Sequence, residues 1–260
     1  MEKTITTEQV KQLRDETGVS VMQCRKALVE AQGDMEKALL ILKKNSVDIA
    51  SKKADREAKE GLIAIKSNGT KASVVILNCE TDFVAKNDDF IKLANELAEV
   101  ALLKGTAEAE KEADEKIKFL IQKIGENMKL AKVEIIEGKN LGVYIHNDKK
   151  AVIAKLSGGK PEVAKDVAMH IAAMKPEFIK KEDIAKKDHT AIASLFAEEV
   201  AKLDKPEETK KKILDGKIDT YFKERTLLEQ PFIKNGDITI GNMVKNEGVE
   251  IEGFLLFSLV

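Results

Sequence analysis

The chain has 260 residues, enough for two or three modules and too many for one small core. Its apolar fraction of 43% is ordinary for a globular protein, and its 34% charged residues cancel to a net charge of −1. That balance argues against a strongly basic nucleic-acid binder and against an acidic disordered tail, and 4% aromatic residues leave few stacking platforms for single strands.

The N-terminus, "MEKTITTEQV", is polar and lacks an apolar h-region, so no secretory signal is expected. No apolar run approaches the roughly 20 residues that span a bilayer, so a cytoplasmic protein is expected. The first 45 residues read as three short helices. Thr6 and Gln9 form a T-x-x-Q capping box, opening a helix that ends before Gly18. Ser20 and Gln23 repeat the device for a second helix, which ends before Gly33. Asp34 caps a third, "MEKALLILKK". Val10, Leu13, Val21, Met22, Ala27, Leu28, Leu39, Leu40 and Leu42 can fill one small core. From Asn45 to Glu60 the chain is charge-rich and has no Gly or Pro, which suggests an exposed, partly helical linker. The expected division is a three-helix domain over 1–45 and a linker over 46–60.

"GLIAIK" and "KASVVILN" flank Ser67-Asn68-Gly69, and Asn-Gly favours the positive φ angles of a tight hairpin turn. A helix follows from near Asp88, with Phe90, Leu93, Ala94, Leu97, Val100 and Ala101 on one face. A second helix covers roughly 107–124 and stops at Gly125, and "LAKVEII" reads as a strand. The pattern then recurs: "LGVYIH", the turn "NDKK", "AVIAKLSG", and the helix "PEVAKDVAMHIAAM". This is a weak internal repeat over 61–101 and 142–174, and repeated units often pack because neither buries its sheet face alone. Further on, Ile192, Leu195, Phe196, Val200 and Leu203 form a narrow stripe, and Ile213, Leu214, Ile218, Tyr221 and Phe222 form another. Two such helices joined by "DKPEE", with Pro206 at the second start, read as an antiparallel helical hairpin. "QPFIKNGD" reads as a loop, "TIGNMVKNEG" as a short helix capped by Thr239, and "VEIEGFLLFSLV" as a strand returning to the sheet. The expected fold class is α+β, a duplicated hairpin-helix core with antiparallel sheets. Its first half covers 61–140, its second 141–176 with 227–260, and the helical hairpin is inserted at 177–226.

Cys24 and Cys79 lie far apart in different elements and read as reduced, buried residues. His146 falls at a hairpin turn, His170 on an apolar helix face, and His189 on the charged helical hairpin. None has a partner at metal-ligand spacing. No phosphate-loop or nucleophile-elbow motif occurs, and "SGGK" at 157–160 reads as an ordinary loop. Asp88 and Asp89 are adjacent, so they diverge on a helix and suit its positive end better than a metal. No active site, metal or cofactor is expected, and the chain does not read as an enzyme. One residue stands out in "NCETDFVAKNDDF". Phe83 sits between a strand that stops at Cys79 and the helix that starts near Asp88. The residues alone favour a staple folded onto that helix, with Asp82 satisfying backbone N–H groups. Display as an anchor for a partner is the alternative.

"TDFVAKNDDF" resembles a segment of the bacterial elongation factor Ts family. "LRDETGVSVMQCRKALVEAQGDMEKA" resembles that family's N-terminal motif, and "KIGEN", "AMHIAAMKPEFI" and "LLEQPFIK" match in the right order over almost the whole chain. Where family members often carry Met-Met-Asp, this chain has Val21-Met22-Gln23. The resemblance implies a ubiquitin-associated-like three-helix domain, a duplicated α+β core and an inserted coiled-coil hairpin. It implies nucleotide exchange on elongation factor Tu, without a cofactor and without direct contact to nucleic acid or membrane. It places Thr81, Asp82, Phe83 and Val84 against the partner's GTPase domain, where they disturb the Mg²⁺ site. Leu13, Arg14 and Met22 are implied to contact a helix of that domain, and His146 a β-barrel domain. A homodimer of the free chain stays open. On this resemblance Phe83 is a displayed tip, the reverse of the staple.

Overall fold

The structure, a computed structural model, describes residues 5–259, so the expectations for residues 1–4 and 260 lie outside the described residues. It is a mixed helix and antiparallel-sheet fold. Contacts divide the chain into two units. One runs to Ile136 and includes Asn147–Lys149 and the chain end from Ser258; the other comprises Glu137–His146 and Lys150–Phe257.

The first unit opens with α1 (Thr7–Thr17), α2 (Val21–Glu30) and α3 (Met35–Lys53). The Thr6 capping box is complete: Gln9 N–H donates to Thr6 Oγ1 at 3.2 Å and Thr6 N–H donates to Gln9 Oε1 at 3.0 Å. Ser20 accepts from Gln23 N–H, but the second half of that expected box is not made. Gln23 Oε1 instead accepts from Gln122 Nε2 at 2.8 Å, tying α2 to a later helix. Leu13, Val19, Cys24, Ala27, Leu28, Ala38 and Leu42 form the core of these helices. Val21, Met22 and Leu40, expected in that core, face solvent. Leu40 lies about 200° around its helix from both Ala38 and Leu42. On α2 the buried stripe is Cys24, Ala27 and Leu28.

The third helix runs on to Lys53, beyond the boundary expected at 45. The region expected as an exposed, partly helical linker is helical in its first half, but Ser46 and Ala50 are buried there rather than exposed. Ala50 and Ile49 join the next core, built from the following sheet and helices, so one helix serves two hydrophobic clusters.

β1 (Glu60–Ser67) and β2 (Lys71–Cys79) form an antiparallel hairpin whose register runs from Glu60↔Cys79 to Ser67↔Ala72. Of the two turn residues, only Gly69 takes a positive φ, 95°. Asn68 works through its side chain, whose Oδ1 accepts from the N–H groups of Thr70 and Lys71. Then come α4 (Asp82–Ala85), α5 (Asp88–Lys104), α6 (Thr106–Ile124) and β3 (Met128–Glu137), and the sheet order is β1-β2-β3. Val75 and Leu77 of the sheet meet Phe90, Leu93 and Leu97 of α5 and Leu120 and Ile121 of α6. Gly125, at φ 93°, ends α6 as expected.

The second unit repeats the plan. β4 (Asn140–His146) and β5 (Lys150–Leu156) pair antiparallel, α7 (Pro161–Met174) covers them, and a late strand, β8 (Ile251–Ser258), gives the order β4-β5-β8. Gly142 is where helix and strand touch: a Cβ there would lie 1.8 Å from the Ala164 carbonyl oxygen. The "SGGK" segment is a loop, held by Asn140 Nδ2 donating to the carbonyls of Gly158 and Gly159. Between α7 and β8 lie α8 (Lys186–Ala201), α9 (Glu207–Arg225), β6 (Pro231–Phe232), β7 (Asn235–Thr239) and α10 (Ile240–Asn246). α8 and α9 run antiparallel, with Phe196 edge-on to Tyr221 at 5.9 Å and Lys217 paired with Glu199. The stretch expected as a plain loop contains the paired strands β6 and β7. Thr239 caps α10 as expected, accepting from Asn242 N–H.

Candidate partner-binding site

The segment between β2 and α5 is built from its two fixed ends. β2 stops at the buried Cys79, whose Sγ donates to the Thr81 carbonyl at 3.1 Å. Burial, with added repulsion from the Glu126 and Glu60 carboxylates, pushes this thiol up to about 12, so it stays protonated and unreactive at neutral pH. At the other end, Asn87 caps α5 by accepting from Asp89 N–H at 3.0 Å. Asp88 and Asp89 both lie in the first turn of α5, and Asp89 pairs with Lys123 at 2.7 Å.

Between these ends the chain makes one helical turn, α4. Thr81 is its N-cap: Oγ1 accepts from Val84 N–H at 3.4 Å. The capping role expected for Asp82 thus falls to its neighbour. Glu126, after the end of α6, accepts from Thr81 N–H at 3.1 Å and from Thr81 Oγ1 at 2.9 Å. A second brace runs the other way, with Asn127 N–H donating to the Glu80 carboxylate and Asn127 Nδ2 donating to the Arg56 carbonyl at 2.6 Å.

Val84 is 6% exposed and packs into the sheet–helix core. Successive helical side chains diverge by about 100°, so anchoring Val84 inward turns Phe83 away from the core. Phe83 is 81% exposed, the largest exposure among the described large apolar residues. The staple expected from the residues alone is not formed: the Phe83 ring faces solvent. Beside the ring, Asp82 pairs with Lys86 at 2.8 Å, and this hydrogen bond and charge hold its carboxyl below the usual carboxylate range.

The other implied contact residues lie on other elements. Met22 is 65% exposed on α2 and lines a shallow groove with Arg25, Lys26 and Val29. Arg14 is exposed on α1. Leu13 has no exposed surface in the free chain and fills the core of the three helices. His146 is in the second unit, at the exposed end of β4. Its ring stacks on Tyr144 with centroids 6.2 Å apart, and the Tyr144 hydroxyl lies 3.3 Å from Nδ1. The following turn has Asn147 and Asp148 at φ 50° and 55°.

The remaining histidines are accounted for by packing. His170 is fully buried; its Nδ1 accepts from Ile233 N–H at 3.2 Å and its Nε2 lies 3.0 Å from Gln230 Oε1. His189 stacks on Phe222 at 5.4 Å. No group of His, Cys, Asp or Glu able to hold a metal occurs among the described residues. No helix of the described residues is long and apolar enough to cross a membrane.

Glu126 and Asn127 went unassigned in the sequence. They appear there only inside "KIGEN", a segment that carries resemblance but no distinctive chemistry. The available signal was a helix-ending glycine followed directly by a carboxylate and an amide, two side chains that can bind backbone across a gap.

Phe83 is thus an aromatic ring exposed on a braced turn, beside the Asp82–Lys86 ion pair. The family model for Elongation factor TS matches residues 80–260. An Elongation factor Ts of Hahella chejuensis is 37% identical over 262 residues, covering 98% of this chain and 92% of the relative. One of Aeromonas hydrophila is 38% identical, covering 96% and 89%, and one of Psychromonas ingrahamii is 38% identical, covering 97% and 89%. The chain belongs to the elongation factor Ts family.

Proposed function

We propose that the chain is the guanine-nucleotide exchange factor for elongation factor Tu in translation elongation. It binds the GDP-bound GTPase, promotes GDP release and lets GTP enter. It makes and breaks no covalent bond. Its requirement is to bind the nucleotide-free partner more tightly than the nucleotide-bound one. By linkage, the factor by which it weakens GDP equals the factor by which GDP weakens it.

The observation that carries the reading is Phe83, 81% exposed on a turn braced at both ends. An apolar wedge of this kind can enter a pocket of the GTPase domain with Thr81, Asp82 and Val84 as its frame. The GTPase holds its nucleotide through Mg²⁺, which bridges phosphate oxygens and protein ligands. Mg²⁺ requires near-ideal octahedral ligation, so a shift of about 1 Å in the elements around it removes its geometry. Arg14 and Met22 supply a second contact on the GTPase domain, and His146 a contact on a β-barrel domain.

The finer architecture belongs to the same proposal. The three N-terminal helices act as a ubiquitin-associated-like domain, and α8 with α9 as an antiparallel coiled-coil hairpin inserted in the second half of the core. The balanced charge supports a protein partner over nucleic acid. Release of fluorescent GDP from elongation factor Tu, with and without this chain, tests the function. Acceleration is expected, and none at micromolar protein would refute it.

A further inference from the structure

We propose that Glu126 is a positioning residue for exchange, setting the aim of Phe83 through Thr81. The inference rests on the reading of Thr81–Val84 as the exchange element. α4 has four residues, and a helix of one turn has no stability of its own in water. Its direction is therefore set by what grips it. Val84 grips from the core side and Cys79 Sγ holds the Thr81 carbonyl, but neither fixes the Thr81 N–H and hydroxyl. Thr81 supplies a further grip, and both of its donors end on one carboxylate, at 3.1 and 2.9 Å.

That fork fixes orientation as well as distance, in the way two parallel bonds to one carboxylate do elsewhere. It also sets the hydroxyl rotor. With its proton given to Glu126, Thr81 Oγ1 presents a lone pair to Val84 N–H, the bond that closes the turn behind Phe83. Glu126 is itself held firmly: it follows Gly125, whose left-handed geometry ends α6, and Leu120 and Ile121 bury that helix in the core. The chain 45 residues away in sequence thus sets the angle at which the ring meets a partner.

Glu126→Gln keeps the size of the side chain but places an NH₂ where one of the two Thr81 donors needs an acceptor. The experiment combines this variant with Phe83→Ala in the full chain and reads fluorescent GDP release from elongation factor Tu. Losing one charge-assisted bond predicts about a tenfold fall in kcat/KM for Glu126→Gln alone. In the Phe83→Ala background the same change costs under about twofold, because a misaimed ring matters only when the ring is there. Amide hydrogen exchange of the free protein gives a readout independent of the partner. The segment 80–87 exchanges faster in Glu126→Gln while α5 keeps its protection.

Equal losses in both backgrounds, an unaffected exchange rate, or unchanged protection over 80–87 would each overturn the role. Should Glu126→Gln fold poorly, Glu126→Asp, which retains charge but shortens the reach, is read in the same cycle. Wild-type protein that does not accelerate GDP release overturns the proposed function and this role together. An active wild type with Phe83-independent losses overturns this role alone.

Discussion

Replacing Phe83 with alanine separates the two readings of the displayed ring. In the free protein the residue is 81% exposed, so nearly all of its apolar surface is available to a partner and little of it supports the fold. Fully burying a Phe side chain yields roughly 1.5–3 kcal/mol, and at 1.4 kcal/mol per decade its removal lowers exchange by about ten- to hundredfold. The folded chain should hardly notice. Exposed substitutions away from special features fall within about 0.5 kcal/mol, a melting shift of about 1–2 °C for a chain of this size. Alanine also favours the helical turn slightly more than Phe does. The two measurements are stopped-flow release of fluorescent GDP and a circular-dichroism melt. A melting temperature that drops by ten degrees or more would mean the ring supports the core. Unchanged exchange with an unchanged melt would mean the ring is exposed but idle.

Three further outcomes follow from other parts of the chain. Gly142→Ala forces a Cβ into the Ala164 carbonyl oxygen, and overpacking of this kind costs about 1–3 kcal/mol or more, so a denaturation midpoint several degrees lower is expected. His170 is held neutral by burial, its folded pKa lying below the ordinary 6.5. The unfolded chain therefore binds more protons at this site, so stability rises with pH and is lost as pH falls below about 6.5 toward the folded value. Melts between pH 7 and 5.5 should show that slope for the wild type and a shallower one for a less stable His170→Asn variant. His146→Ala, which removes a ring at the exposed end of β4, should raise KM for elongation factor Tu a few-fold; an unchanged KM would take His146 out of the interface.

Where local physics decides the conformation, the sequence can be read directly. Thr6 and Gln9 specify a capping box that forms, and Gly18 and Gly125 take the left-handed angles that end α1 and α6. Thr239 caps the helix expected after it. Where a distant residue decides, the reading falters. Ser20 and Gln23 have the pattern of a second capping box, but Gln122, 99 residues on, claims the Gln23 side chain. The stretch past residue 45 looks like an exposed, partly helical linker because its surface is charged, yet Ser46 and Ala50 at i and i+4 are buried, and Ala50 joins a core completed by a helix and sheet still to come. The site shows the same division. Phe83 is conspicuous in the sequence for being aromatic in a connection. Its direction depends on Val84 and on Glu126, and only the family resemblance pointed to display rather than packing.

On the proposed reading, the contact surfaces do different work. Arg14 and Met22 on the N-terminal helices, and His146 on the second unit, can touch the partner whether or not nucleotide is bound. Contacts made equally in both states raise affinity without changing the nucleotide's own equilibrium. The Thr81–Val84 turn is different, because its ring needs space that a filled Mg²⁺ site denies. Only its binding energy enters the coupling, and by reciprocity that energy is the energy by which GDP is weakened. A ring worth roughly 1.5–3 kcal/mol therefore accounts for about ten- to hundredfold of the weakening. This predicts a split in the kinetics: Phe83→Ala and Glu126→Gln lower kcat, whereas changes at Met22 and His146 raise KM. It also explains why the ring stands on a braced turn instead of a mobile loop. A loose Phe could retreat from the pocket and bind both states alike, and a wedge that yields cannot move the elements that hold the ion.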